Sequence, residues 1–194
     1  MKIKKLISAL VLGSMLVGLS GCNITDFSAE NLLRPPKAVG DEAEIEQLIA
    51  KTADSGYTLK YPKNGKFRSA IIMTDLDGND SNEAVAFFRN SAETSSVHML
   101  VMYSKDNSWE IASDNIFETT DIDSVDFADL TGNGKAEIIV NSTTYTPNVG
   151  KLSCYSYSEG KTNEVGSGQS CSSFVTGDFD NDGTSEIMSL VLYT

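Results

Sequence analysis

Histidine is almost missing from this chain of 194 residues: His98 is the only one, against 27 acids and 15 lysines and arginines. It sits in the alternating run Val97 to Tyr103 (VHMLVMY), which reads as a strand, and no G-x-S-x-G elbow occurs. Hydrolysis through a Ser-His-Asp relay therefore has no support. Basic residues are scarce as well. The net charge of −12 argues against nucleic acid and anionic lipid as partners and suits divalent cations. No apolar run is long enough to span a bilayer: Leu6 to Leu19 (LISALVLGSMLVGL) has 14 residues, short of the roughly 20 required. Apolar residues as such are not lacking. At 40% hydrophobic and 8% aromatic the chain can bury one good core and reads as globular.

The basic start MKIKK followed by that short apolar stretch reads as a secretory signal over residues 1–21. Leu19-Ser20-Gly21-Cys22 closes it and resembles the lipobox of bacterial lipoproteins. That resemblance implies a lipidated Cys22 as first residue of the mature chain, a membrane partner through the lipid anchor, and a place on the extracytoplasmic face of the cell membrane. Two or three acyl chains would hold it there, at about 0.8 kcal/mol per buried methylene. Residues 22–36 are polar, end in two prolines and read as the tether. Cys154 and Cys171 remain for the body. Export permits a disulfide between them; two half-buried thiols are the alternative.

Residues 37–194 read as the folded domain. Asp41 with Glu44 three residues on forms a capping-box-like start, and Ile45, Leu48 and Ile49 make a helical stripe. Short β-rich runs follow: Tyr57 to Tyr61, Ser69 to Met73, Ala84 to Phe88, Val97 to Tyr103 and Trp109 to Ala112. Ser104 to Asn107 and Ser158 to Lys161 fit hairpin turns. Trp109, Tyr103, Phe87 and Phe88 are expected to pack between successive sheets.

Three acidic nonapeptides recur: DLDGNDSNE from Asp75, DLTGNGKAE from Asp129 and DFDNDGTSE from Asp178, starting 54 and then 49 residues apart. Each lies between β-like runs, and a hairpin-like pair follows the first two. The unit is strand, acidic loop, strand, hairpin: four strands in about 50 residues, the size of a propeller blade. These repeats resemble FG-GAP or VCBS-type repeats, the integrin-like β-propeller blades with the loop pattern D-x-D-x-D-G-x-x-D/E. With its lipobox the whole chain resembles propeller-type lipoproteins of Gram-positive bacteria. The resemblance implies a mainly β fold, a partial β-propeller of about two and a half four-stranded blades with one short N-terminal helix. The copies fall near 69–115, 122–167 and 171–194. The last is unfinished, so the domain reads as incomplete, as closed by self-association, or as an open array.

Calcium takes six to eight oxygen ligands, and acids at the first, third and fifth positions of a tight loop can converge on it. An EF-hand would place its glutamate at the twelfth position between helices, so these loops are not EF-hands. The repeat pattern assigns Asp178, Asp180, Asp182, Glu186 and the Thr184 carbonyl in the third loop. In the first it assigns Asp75, Asp77, Asn79 and Glu83, with Gly78 and Asp80 out of place for the pattern. In the second it assigns Asp129, Thr131, Asn133 and Glu137, only two of them charged. Asp, Asn and Gly also build Asx-type turns without an ion. The expected function is a non-enzymatic, lipid-anchored surface protein with structural calcium, binding a protein or glycan. A carbohydrate-active enzyme or accessory module using loop carboxylates and a purely structural envelope lipoprotein are the alternatives.

Overall fold

The computed structural model describes residues 40–54, 56–146 and 148–192. The predicted signal, Cys22 and the tether lie outside the described residues. Among the described residues, helix α1 (Asp41–Ala53) precedes eleven strands. A first sheet contains β1 (Tyr57–Leu59), β2 (Ile71–Thr74), β3 (Glu83–Asn90), β4 (Val97–Lys105) and β5 (Ser108–Phe117), with β1 and β2 both pairing with β3. A second runs in sequence order through β6 (Ile122–Ala128), β7 (Glu137–Thr143), β8 (Gly150–Ser158) and β9 (Lys161–Cys171). A third pairs β10 (Ser173–Gly177) with β11 (Glu186–Leu190). All neighbours are antiparallel, and no sheet among the described residues closes on itself. The fold is mainly β, as expected.

The central strands β3 and β7 are buried along nearly their whole length because both faces are covered, and their apolar runs Ala84 to Phe88 and Ile138 to Val140 do not alternate with polar residues. On one face of β3, Ala84, Ala86 and Phe88 meet Ile45, Ile49 and Ala53 of α1. The two alanines leave room for the helix. On the other face Val85 and Phe87 join Val97, Met99 and Val101 of β4 against Val125, Ile138, Val140, Tyr155 and Tyr157 of the second sheet. Ile139 and Leu152 on the far face of the second sheet then meet Phe174 and Ile187 of the third. The order of layers is helix, first sheet, second sheet, third sheet. Both expected hairpins are two-residue turns with positive φ at both positions, Asp106-Asn107 and Glu159-Gly160, the geometry that matches strand twist.

Several expectations are corrected. Gly40, not Asp41, is the N-cap, and no side chain caps the helix; Asp41, Glu42 and Glu44 lie in the first turn, where acids suit the helix dipole. Trp109 and Phe88 pack under α1 instead of between sheets. Of the two alternatives left open for the cysteines, the structure has the thiols: Cys154 is half-buried, Cys171 buried, and both are free. Cys171 pairs with Gly150, four residues along β8 from Cys154. At about 3.3 Å per residue that separation exceeds the roughly 7 Å between Cα atoms that a disulfide tolerates.

Candidate metal centre

The three nonapeptides fold into one turn, wired alike. The first aspartate accepts the N–H groups of the fifth and sixth residues: Asp75 from Asn79 (3.2 Å) and Asp80 (2.9 Å), Asp129 from Asn133 (3.1 Å) and Gly134 (2.7 Å), Asp178 from Asp182 (3.0 Å) and Gly183 (2.9 Å). The fifth side chain accepts the N–H of the seventh residue in each, through Asn79, Asn133 and Asp182 at 2.7 to 2.8 Å. The ninth residue accepts the N–H of the second: Glu83 from Leu76, Glu137 from Leu130 and Glu186 from Phe179, at 2.8 to 2.9 Å. These glutamates begin β3, β7 and β11.

Positive φ recurs at the fourth and sixth positions of every loop: Gly78 (74°) and Asp80 (65°), Gly132 (68°) and Gly134 (78°), Asn181 (63°) and Gly183 (93°). This corrects the sequence reading of the first loop. Gly78 and Asp80 are not out of place; the turn needs the left-handed region at both positions, and Gly, Asn and Asp are the residues that enter it. Neighbouring loops also bond to each other, Ala136 N–H to the Leu76 carbonyl (3.0 Å) and Ser185 N–H to the Asp129 carbonyl (2.8 Å). A methyl group on Gly78 would come within 2.7 Å of the Gly134 carbonyl oxygen, so the contact between the first two loops requires glycine there.

Two acidic groups have ligand atoms close enough to share an ion: Asp178, Asp180, Asp182 and Glu186 in the third loop, and Asp75, Asp77 and Glu83 in the first. Acidic clusters that can hold a metal ion are thus present in the two loops with the most carboxylates. Asn79 and Thr184 take their places in the turns; the second loop has Thr131 and Asn133 in the third and fifth places, and its two acids, Asp129 and Glu137, are too few for such a group. The first cluster is the more enclosed. Glu83 is 3% exposed, and burial, reinforced by the charges of Asp77 and Asp75, holds its carboxyl above the usual glutamate range even though it accepts from Leu76. Asp77 Oδ1 is buried with no hydrogen-bond partner. Burial, then Glu83 and Asp77, push the neighbouring Tyr157 phenol up to about 12. Burial works against Asp75 and Asp129, but their several backbone N–H donors outweigh it and hold both below the usual aspartate range.

The sequence reading missed two polar features. His98 is buried, stacked on Phe88, with Nδ1 at 2.9 Å from Asp114 and Nε2 at 3.5 Å from Glu93; nothing in the alternating strand pattern identified these partners. Residues 60–64 form a strap between sheets. Lys60 and Lys63 pair with Asp121, and the N–H groups of Lys63 and Asn64 reach the carbonyls of Ile122 and Asp123. Compared with family models, curated proteins and solved structures, the chain matches none.

Two opposed substitutions test the shared turn. Gly78→Ala is expected to destabilise by about 2 kcal/mol, from strain and the clash with the second loop, and Asp80→Gly to stabilise by about 0.5 kcal/mol by relieving its positive φ; urea unfolding of both reads the signs. Glu83→Gln is expected to stabilise the metal-free protein at neutral pH. Because the folded pKa of Glu83 lies above its unfolded value, its ionised form costs stability above the folded pKa and the cost is gone below the unfolded one. The advantage of glutamine in EDTA should therefore fade as pH falls through that raised value, as thermal melts from neutral pH downward would record.

Proposed function

We propose that the chain is a lipid-anchored, extracytoplasmic protein built of propeller-type blades, whose acidic loops are clipped by calcium and whose sheets present a surface to a protein or glycan ligand. One observation carries the reading. The same hydrogen-bonded turn recurs on three successive sheets, at starts 54 and 49 residues apart, with the same bonds from its first, fifth and ninth residues. This supports blades as the unit: β2 to β5, β6 to β9, and the β10–β11 pair as the beginning of a third.

Calcium is the cation that suits these loops. Their donors are carboxylate, amide and carbonyl oxygens on flexible turns, which calcium accepts with variable coordination number, whereas magnesium demands a tight octahedron. The third loop offers four carboxylates and the first offers three and an amide, so calcium affinity falls in the order third, first, second. Affinities in the 10⁻⁴ to 10⁻³ M range of extracellular modules are sufficient for a structural clip. The ion joins a loop to the strand it precedes and performs no chemistry. The anchor rests on Leu19-Ser20-Gly21-Cys22 and the signal-like residues before it.

Calcium at about fifty times its dissociation constant is expected to stabilise the protein by about 2 kcal/mol, a rise in Tm of roughly 4 to 8 °C for a domain of this size. Calorimetry in calcium against EDTA reads the rise, and Asp178→Asn with Asp182→Asn should remove most of it; identical melts in the two buffers would exclude the clip. Cys22→Ser is expected to abolish incorporation of a labelled fatty acid and release the protein from the membrane fraction, and a variant that stays acylated would remove the anchor from this reading.

A further inference from the structure

We propose that a polar cavity at one end of the second sheet is the binding site for a neutral sugar ring. The cavity measures about 410 Å³, inside the roughly 300–1,000 Å³ of small-molecule sites. Asp123 of β6, Asn141 of β7, Gly150 of β8 and Asn64 of the strap line it, and Val149 and Leu192 supply its apolar part. Asn141 lies two residues after Ile139, and Gly150 two before Leu152. Both therefore belong to the face that the second sheet turns toward the third.

The first sheet has the same position closed. Asn141 stands four residues after Glu137, as Phe87 stands four after Glu83. Gly150 opens a nine-residue strand that leads into a two-residue turn, as does Val97. Phe87 and Val97 are buried in the layer between the first and second sheets. In the second sheet an amide and a bare Cα take their places, and a cavity results. Gly150 is required there, because a methyl group on it would come within 2.3 Å of Asn141 Oδ1. Asn141 is 1% exposed. Its Nδ2 donates to Asp123 Oδ2 at 3.3 Å, and Asn64 Nδ2 donates to Asp123 Oδ1 at 2.9 Å. With its amine end committed to a carboxylate, the amide cannot turn round to shelter its oxygen. Asn141 Oδ1 is buried with no hydrogen-bond partner among the described residues. Such atoms are rare because nothing offsets their lost hydration. An apolar side chain would pack here without that cost, as Phe87 does in the first sheet, whereas the amide is suited to a donor that arrives with a ligand.

The donor that fits this lining is a hydroxyl. The two charged groups of the cavity, Lys63 and Asp123, are opposite in sign, so a phosphate would meet the carboxylate and a metal ion the ammonium. A hydroxyl both donates and accepts, which matches Asn141 Oδ1 as acceptor and Lys63 as donor. Val149 and Leu192 offer an apolar surface to the C–H face of a pyranose. A strand cannot add to the second sheet here. β7 and β8 are paired on both sides, and at this end the edge of β6 is taken by the strap, whose Lys63 and Asn64 N–H groups reach the Ile122 and Asp123 carbonyls. What the second sheet and strap leave for an occupant is side chains converging on a small polar molecule. The inference rests on the glycan half of the function above, and on neither the anchor nor the calcium clip, whose tests read acylation and melting.

Saturation-transfer difference NMR on the full chain in deuterated mild detergent with millimolar calcium reads the binding, with glucose, galactose, mannose and N-acetylglucosamine as separate probes. At least one sugar is expected to show saturable transfer by about 10 mM. Asn141→Leu, which keeps the side-chain volume and removes the buried acceptor, should weaken it at least tenfold. Asn64→Ala, at an exposed position of the strap, should weaken it about threefold by releasing Asp123 from one of its amide donors. Circular dichroism checks that each variant is folded, and Asn64→Ala carries the test should Asn141→Leu not fold. Absence of saturable transfer from all four sugars would overturn the proposal, leaving the cavity to water and the protein-binding half of the function intact. Equal binding of a sugar by the unaltered chain and every folded variant would also overturn it, by placing the glycan elsewhere on the chain.

Discussion

The hydrogen bond from the N–H of each loop's second residue to the carboxylate of its ninth is the constraint on which the other contacts of the turns and sheets depend. Glu83, Glu137 and Glu186 belong to two elements at once, closing the turn and opening the strand that follows it. Hydrogen bonds to charged groups contribute about 1.5–3 kcal/mol, and breaking one inside the protein costs more because the stranded group stays desolvated. Glu83 at 3% exposure and Glu137 at 2% are nearly dry. A slip of one residue between loop and strand would turn either glutamate to the opposite face of its sheet and leave its charge without the N–H that offsets burial. Register in the sheets is therefore held from the loop end as well as by apolar packing.

Once each loop is fixed to its strand, bonds between loops align the sheets. Ala136 ties the second loop to the first and Ser185 ties the third to the second, both through backbone groups that do not depend on side-chain identity. The sheets then stack with their loops side by side and their apolar faces opposed, so that β3 has to be apolar on both faces. Its alternation is one of size: Ala84 and Ala86 toward α1, Val85 and Phe87 toward the second sheet. A helix approaches a sheet more closely over alanine, whereas two sheets leave a layer about 10 Å thick that large side chains must fill.

Much of this could be read from the residues alone. The repeat was legible because a turn with obligatory side-chain-to-backbone bonds has to place Asp, Asn and Glu at fixed offsets, and the strands around it were legible from their β-branched and aromatic runs. Boundaries were less so. β9 (Lys161–Cys171) is exposed and polar along nearly its whole length and offers no period to detect; it is held by pairing with β8, a property of its neighbour. The strap at 60–64 has the composition of a loop and is ordered by carbonyls of a distant strand. The first loop was misjudged because residue type was taken as the marker of conformation. Glycine, asparagine and aspartate share the left-handed region, so Gly78 with Asp80 and Asn181 with Gly183 are two spellings of one backbone.

The second loop shows what the turn itself requires and what the other two carry in addition. With Thr131 and Asn133 in the third and fifth places, it makes the same bonds from Asp129, Asn133 and Glu137 as the acid-rich loops make. Two carboxylates and an amide are therefore enough to fold the nonapeptide. The aspartate at the third position is surplus to that task. In the first loop Asp77 holds a buried oxygen with no partner close to the raised Glu83 carboxyl, and in the third Asp180 sits within ligand distance of three other acids. Like charges gathered in so small a turn cost stability, and backbone closure does not require them. A cation held among these carboxylates would convert the repulsion into coordination, and the two loops that carry the additional acid are the two whose ligand atoms lie close enough to share one.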